Sequence, residues 1–302
     1  MKIETIDLDF METEGIIASF LLTGEGSAAI VETGPTPCIE NLMQGLSSNG
    51  VEPGDVEQVL LTHIHLDHSG ASGNLAELLP SATFYVHEIG YPHLVDPSKL
   101  VKSSTRIYGE RMEELWGEIR PVSKDRLKKL SGGEEIEVAD GLVSACYTPG
   151  HAYHHLAFHE PESGTLFAGD VAGVRLPGQS YVKPPTPPPE VDVEAWKGSI
   201  ETMRKLGLKV ICPTHFGSYE DVERHLSELE QRLEDWLLLV EERMAEERSQ
   251  EDIAEELGAR GDEEMLREGA DTGDSERYEL AANYEMLVAG LMRYVTKQRE
   301  SS

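Results

Sequence analysis

The chain is short of cysteine and contains no long apolar run. Its 302 residues include only three cysteines, Cys38, Cys146 and Cys212, which are far apart and odd in number. They indicate no disulfide framework, so we expect a reducing, cytoplasmic environment. No apolar run reaches 18 residues, which argues against a membrane-spanning helix. The N-terminus, Met1-Lys2-Ile3-Glu4, does not have the pattern of a signal peptide.

Positive charge is also scarce. The sequence has 26 Lys and Arg against 56 Asp and Glu, which gives a formal net charge of −30 and a pI of about 4.6. Phosphate binding needs clustered basic residues, so the composition argues against nucleic acid and anionic membranes as partners. We expect a small-molecule substrate instead. Such a high density of acidic residues is typical of proteins from a high-salt cytoplasm, where salt screens the repulsion between negative charges. It predicts a halophilic protein.

One stretch concentrates metal-binding residue types. His63, His65, Asp67 and His68 fall within six residues, directly after the apolar tract 59–61. Imidazole and carboxylate suit zinc and its neighbours among the transition metals. The apolar tract predicts a buried strand, and the small residues 69–73 predict a tight turn into a helix. The four side chains are therefore expected at the carboxyl end of a strand, where open α/β sheets place their sites.

This stretch resembles the metal-binding motif of the metallo-β-lactamase superfamily. Three further motifs of the family follow in order, at Thr148–His151, Leu166–Asp170 and Cys212–Gly217. The resemblance covers roughly residues 1–220. Val31-Glu32-Thr33-Gly34 is similar to the family's first motif, except that Glu32 stands where the family usually has Asp. In the family that acid supports the site without binding metal.

The resemblance implies a site for two divalent metal ions. His63, His65 and His151 would hold one ion, Asp67, His68 and His215 the other, and Asp170 would bridge them. Zinc is the first choice, with iron or manganese as alternatives. The implied reaction is attack of a metal-activated hydroxide on an ester, lactone or thioester carbonyl, with Asp67 or Asp170 moving a proton to the leaving group. His155 would brace the metal ligands by hydrogen bonding.

Other reactions of the same fold stay open. A mononuclear iron persulfide dioxygenase would use only His63, His151 and Asp170. A phosphodiesterase is disfavoured for RNA or DNA by the negative charge, but a small cyclic phosphodiester remains an alternative. A flavin-linked diiron oxidoreductase is disfavoured because that group carries Glu where His65 stands. A non-catalytic relative is disfavoured because all seven ligands are present.

The family fold is an α+β, four-layered αβ/βα sandwich, and we expect it over residues 1–219. Charged residues studded with Tyr, Trp, Leu and Met predict a helical insertion over about 90–130, which would cover the site or pack on the sheet edge. The proline run 184–189 predicts an extended segment. With Arg175, Tyr181 and Lys183 before it, we expect it to form one wall of the pocket. His87 is a weaker candidate for contact with the metals.

The last segment, 220–302, differs in composition. It holds 25 acidic and 10 basic residues, a net charge of −15. Apolar residues spaced by three and four predict helices over 222–244 and 280–295, while 258–275 is expected to form a loop or short helices. This C-terminal helical appendage would pack on the body or form a homodimer seam through Leu233, Trp236 and Val240. His225 lies on the first of these helices and is expected to have no role.

Overall fold

Two mixed β-sheets packed face to face form the body of the molecule. The computed structural model describes residues 1–301, with side chains to residue 300. The first sheet contains six strands in the order β1-β2-β3-β4-β5-β6. The strands are β1 Lys2–Asp7, β2 Ala18–Thr23, β3 Ala28–Val31, β4 Val56–Leu60, β5 Thr83–His87 and β6 Leu127–Leu130. Strands β3 to β6 run parallel, so their carboxyl ends lie at one edge of the sheet.

The second sheet contains five strands in the order β11-β10-β9-β8-β7. They are β7 Glu135–Val138, β8 Gly141–Tyr147, β9 Leu156–Glu160, β10 Thr165–Phe167 and β11 Val210–Cys212. Only β10 and β11 are parallel, because helix α7, Val193–Lys205, crosses between them. The side chain of Asp192 caps this helix by accepting a hydrogen bond from the Ala195 amide.

The inner faces of both sheets share one apolar core. Phe20 of β2 meets Phe167 of β10 with ring centroids 5.3 Å apart, and both side chains are fully buried. The outer faces are covered by helices. The first six are α1 Ile39–Ser48, α2 Leu66–Ser69, α3 Ser72–Leu78, α4 Tyr91–Val95, α5 Ser98–Tyr108 and α6 Met112–Trp116. This confirms the four-layered sandwich.

The helical insertion is shorter than the sequence predicted. Helices α4 to α6 occupy 91–116, but residues 127–130 form strand β6, paired in parallel with β5. The sequence Leu127-Lys128-Lys129-Leu130 looked like part of a charged helical segment. Both lysines are in fact exposed on an edge strand, where charge discourages pairing with another chain.

Four helices form the C-terminal appendage: α8 Val222–Ala245, α9 Gln250–Arg267, α10 Thr272–Ala281 and α11 Tyr284–Ser301. The prediction of a loop or short helices over 258–275 was wrong for residues 258–267, because α9 continues to Arg267. Its glycines allow close packing, since a Cβ at Gly261 would lie 1.9 Å from the Tyr284 hydroxyl. The second apolar stripe is also split, and Leu280 belongs to α10 rather than to α11.

The appendage buries its apolar stripes within the chain. Leu233 and Val240 have no exposed surface and Trp236 is 4% exposed, covered by neighbouring helices and the body. These residues are therefore not available as a dimer seam, and a homodimer through another surface stays a prediction. Over the described part of the chain, no helix is both long enough and apolar enough to cross a membrane.

Candidate metal centre

The sequence motifs converge where strands of the two sheets end. His63, His65, Asp67 and His68 follow β4, partly within α2. The other three side chains follow strands β8, β10 and β11: His151, Asp170 and His215. All seven predicted ligands are therefore brought to one place.

Three histidines form the first group. His65 Nδ1 lies 3.0 Å from His63 Nε2 and 2.9 Å from His151 Nε2. At least two of these three nitrogens have a free lone pair when the rings are neutral, and all three face a common point. Such a set of imidazole nitrogens suits a transition-metal ion.

Asp67, His68 and His215 form the second group, and their ligand atoms lie within 4.8 Å of one another. The Asp67 carboxylate is 3.3 Å from His215 Nε2 and 3.6 Å from His68 Nε2. Two imidazoles and a carboxylate again match the donors that zinc and its neighbours accept.

Asp170 stands between the two groups and divides its oxygens between them. Its Oδ1 lies 3.1 Å from His68 Nε2, whereas its Oδ2 lies 3.4 Å from His151 Nε2. His68 Nε2 and Asp170 Oδ1 are buried, yet neither makes a well-oriented hydrogen bond to another described residue. Buried polar atoms without such a bond are costly. A bound cation would satisfy both atoms, so the residues fit a pair of metal ions.

Hydrogen bonds behind the cluster orient the histidine rings. The Nδ1 atoms of His63, His68, His151 and His215 contact Thr62 Oγ1, Glu32 Oε1, Pro185 O and Ile16 O at 2.8 to 3.2 Å. Each of these rings therefore directs Nε2 towards the cluster. His65 is the exception, because its Nδ1 faces the other ligands. Partners of this kind fix the tautomer and orientation of a metal-binding imidazole.

Glu32 lies where the resemblance implied a supporting acid. Its side chain is fully buried, and one carboxylate oxygen contacts His68 Nδ1 at 3.2 Å. The same oxygen accepts hydrogen bonds from the hydroxyls of Thr62 and Thr214, while the Thr62 amide donates to the other at 3.4 Å. The longer side chain of glutamate thus connects its own motif to two of the metal-binding motifs.

The histidines of the two ligand groups differ in their tendency to bind a proton. Burial lowers the pKa of His63 far below its ordinary value and that of His151 to about 4, so both are neutral at pH 7. Burial also opposes a charge on His68, but the carboxylates of Asp170, Asp67 and Glu32 outweigh it and raise the pKa of His68. Burial raises the pKa of Asp67, but His68 and His215 outweigh it and lower the value to about 2.

The family model of the metallo-beta-lactamase superfamily matches residues 13–215. The chain belongs to that superfamily. Over 181 residues it is 29% identical to metallo-beta-lactamase fold-containing protein ST1585 of Sulfurisphaera tokodaii, covering 58% of this chain and 66% of that protein. It is 26% identical over 181 residues to a hydroxyacylglutathione hydrolase of Synechococcus, covering 60% of this chain and 54% of that protein.

Similarity to a solved structure can extend over almost the whole chain. The metallo-beta-lactamase family protein TTHA1429 from Thermus thermophilus has a TM-score of 0.67 and 24% identity, and the match covers 99% of this chain and 93% of that chain. The curated relatives are matched less completely, since the chain spans 50% to 66% of the length of the first of them.

Several residues singled out from the sequence lie elsewhere. His87 stacks on Tyr147 with ring centroids 4.8 Å apart and is not grouped with the metal ligands. Arg175, Tyr181 and Lys183 are buried beneath the appendage rather than lining the pocket. Of the proline segment, the Pro185 carbonyl does reach the site, through its contact with His151.

Sequence reasoning missed other contributors. Carbonyls of Ile16 and Pro185 orient two histidines, but a main-chain carbonyl has no signature in the sequence. His225, which was expected to have no role, makes a structural contact close to the site. Its side chain is fully buried, and Nε2 contacts the Ala172 carbonyl at 2.7 Å, two residues after Asp170. His155 lies next to the site, with Nδ1 2.9 Å from Thr148 Oγ1 and Nε2 accepting from the Val171 amide at 3.4 Å, directly after Asp170, and its bracing role stays a prediction.

Proposed function

We propose that the protein is a hydrolase that uses two divalent metal ions, with zinc as the first choice, to cleave an ester, lactone or thioester. The observation that carries the proposal is the position of Asp170, whose two oxygens face two separate groups of ligands. Bound there, two ions would supply a nucleophile from water near neutral pH and polarise the substrate carbonyl.

The protein's own side chains have distinct tasks in this reaction. The Asp67 side chain is 22% exposed, whereas that of Asp170 is 5% exposed, so Asp67 is the carboxylate nearer to solvent and substrate. His68 and His215 lower its pKa despite burial, so it is ionised at pH 7 and can bind a cation. Because it is the more exposed of the two carboxylates, we assign to Asp67 the transfer of a proton to the leaving group. Glu32 keeps His68 oriented through the cycle.

We propose that an aromatic cluster of the helical insertion binds a hydrophobic part of the substrate. Burial raises the pKa of the Tyr108 hydroxyl, and the negative charge of Asp67 acts in the same direction. The Tyr108 ring packs on Trp116 with centroids 5.0 Å apart, and Trp116 stacks on Phe10. The Tyr108 hydroxyl contacts Met286 Sδ at 3.9 Å, which joins the insertion to the appendage.

Among carbonyl substrates, the thioester has support from a relative. The Synechococcus relative is named a hydroxyacylglutathione hydrolase, and acyl-glutathione is a thioester. The net charge of −30 disfavours polyanionic substrates such as RNA. A small cyclic phosphodiester is kept as a comparison substrate because its single charge is less affected.

Metal analysis combined with a substrate panel tests the proposal. We expect two ions per chain and turnover of at least one lactone, ester or acyl thioester that carries an apolar acyl group. Cyclic phosphodiesters are the comparison. A single iron per chain, with oxygen consumption on a persulfide, would replace the hydrolase by a dioxygenase. Turnover of the cyclic phosphodiester alone would replace it by a phosphodiesterase.

A further inference from the structure

Helix α8 contacts the turn that carries Asp170. This turn spans Gly169–Ala172, and the Ala172 carbonyl is 2.7 Å from His225 Nε2. Burial lowers the pKa of His225 to about 4, so the ring is neutral, and Nε2 must carry the proton in order to donate to the carbonyl. His225 Nδ1 makes no hydrogen bond to any residue within the described chain. Within the described chain the ring therefore makes one hydrogen bond, which joins helix α8 to a turn whose Val171 carbonyl also accepts from Trp196 Nε1 at 2.8 Å.

A second attachment joins helix α11 to the proline segment. Thr186 Oγ1 donates to the Leu287 carbonyl at 3.0 Å, and a Cβ at Gly290 would lie 1.9 Å from the Thr186 carbonyl oxygen. The helix and the segment are thus in main-chain contact. The neighbouring carbonyl, that of Pro185, accepts the hydrogen bond from His151 Nδ1 at 2.8 Å. A shift of residue 186 would move this carbonyl and release the His151 ring.

We propose that helices α8 and α11 position two metal ligands, Asp170 through His225 and His151 through the contacts of Thr186 with Leu287 and Gly290. The appendage is then part of the metal-binding apparatus rather than a separate packing layer. His225 acts through the Ala172 carbonyl, and Thr186 acts through the neighbouring Pro185 carbonyl. Both are therefore positioning residues and touch neither metal nor substrate. The inference rests on the two-metal site of the proposed function, but it concerns metal affinity and not the reaction.

Cobalt binding to the full chain tests the inference without any substrate. The chain is stripped of metal and titrated with Co²⁺ against a competing chelator, with visible absorption as the readout. We expect His225→Leu to weaken binding of at least one ion by about 10-fold, the lower end of the effect of losing a direct partner of a metal ligand, because His225 acts through the main chain of the Asp170 turn. His225→Gln should retain wild-type affinity, because its amide N–H can donate to Ala172.

The second attachment has a matched control. Gly290→Ala should weaken cobalt binding because the new methyl group displaces residue 186. Gly198→Ala should not, since Gly198 also lies in a helix, α7, but a Cβ there meets no atom within 4 Å. Thr186→Val, which loses only the hydrogen bond to Leu287, repeats the test with little change in volume. It therefore decides the matter if Gly290→Ala does not fold.

Thermal unfolding of the metal-free variants separates positioning from general support. The inference predicts that His225→Leu and Thr186→Val fold and bind cobalt weakly with an altered spectrum. If both lower the thermal midpoint and yet bind two Co²⁺ ions with wild-type affinity, the appendage only stabilises the fold and the inference is refuted. A wild-type chain that binds two ions tightly but hydrolyses no substrate would instead refute the proposed function alone.

Discussion

Glu32 and His68 meet in the protein interior, with a carboxylate oxygen 3.2 Å from Nδ1 of the ring. Glu32→Gln should lower metal affinity by about 10- to 100-fold. If the amide oxygen of Gln accepts from His68 and both threonine hydroxyls, its NH₂ group must face the Thr62 amide, which is itself a donor. Glu32→Asp should have a similar effect, since the shorter side chain withdraws from His68. Competition titration with Zn²⁺ measures both, and unchanged affinity in the two variants would exclude the bracing role.

The assignment of the ligands predicts the effect of removing them. His63→Ala, Asp170→Ala and His215→Ala should each reduce turnover of the identified substrate by at least about 100-fold, because each variant leaves a metal ion with a missing ligand. His93→Ala is the matched control, since His93 lies on α4 and belongs to neither ligand group. Turnover and metal content are measured together. Retained turnover in Asp170→Ala would contradict its bridging position.

Lys183 predicts a pH dependence of stability. Burial lowers its pKa to about 7, although Glu279 and Asp262 favour the charged form, whereas an unfolded lysine titrates near 10.5. Between these values the unfolded chain binds a proton that the folded chain lacks, so the free energy of unfolding rises with pH. Relative to Lys183→Met, the wild type should gain about 1.4 kcal/mol per pH unit from roughly pH 7 to 9.

Urea unfolding at several pH values measures this difference. Lys197→Met is the control, because Lys197 pairs with Glu234 at the surface and has a raised pKa, so it stays protonated throughout this range. Parallel curves for the wild type and Lys183→Met would show that the buried amine does not titrate in this window.

The excess of acidic residues predicts a dependence on salt. Like charges repel in dilute buffer and are screened at high ionic strength, so the thermal midpoint should rise from low to molar NaCl. Sucrose is the control, because it favours burial of apolar surface without screening charge. A midpoint that responds equally to sucrose and to NaCl, or to neither, would argue against a high-salt origin.

The sequence was informative where chemistry is local. The run from His63 to His68 predicted a ligand cluster after a strand, because residue type and spacing determine that arrangement. It could not show that Glu32 contacts His68 and Thr214, since those contacts depend on tertiary packing. It also concealed β6, because Lys128 and Lys129 look the same on an edge strand as on a helix. Arg175 and Lys183 were misplaced because their burial depends on helices more than 40 residues later.

The orientation of His151 and His215 by main-chain carbonyls affects how this protein can change over time. The imidazole rings bond to the main-chain carbonyls of Pro185 and Ile16 and not to their side chains, so other residues at these positions could supply the same acceptor. Selection would act on the path of the two segments rather than on their residue identities. Relatives that differ freely at both positions can therefore keep identical ring orientation, and the pocket walls can diversify while the metal chemistry is inherited unchanged.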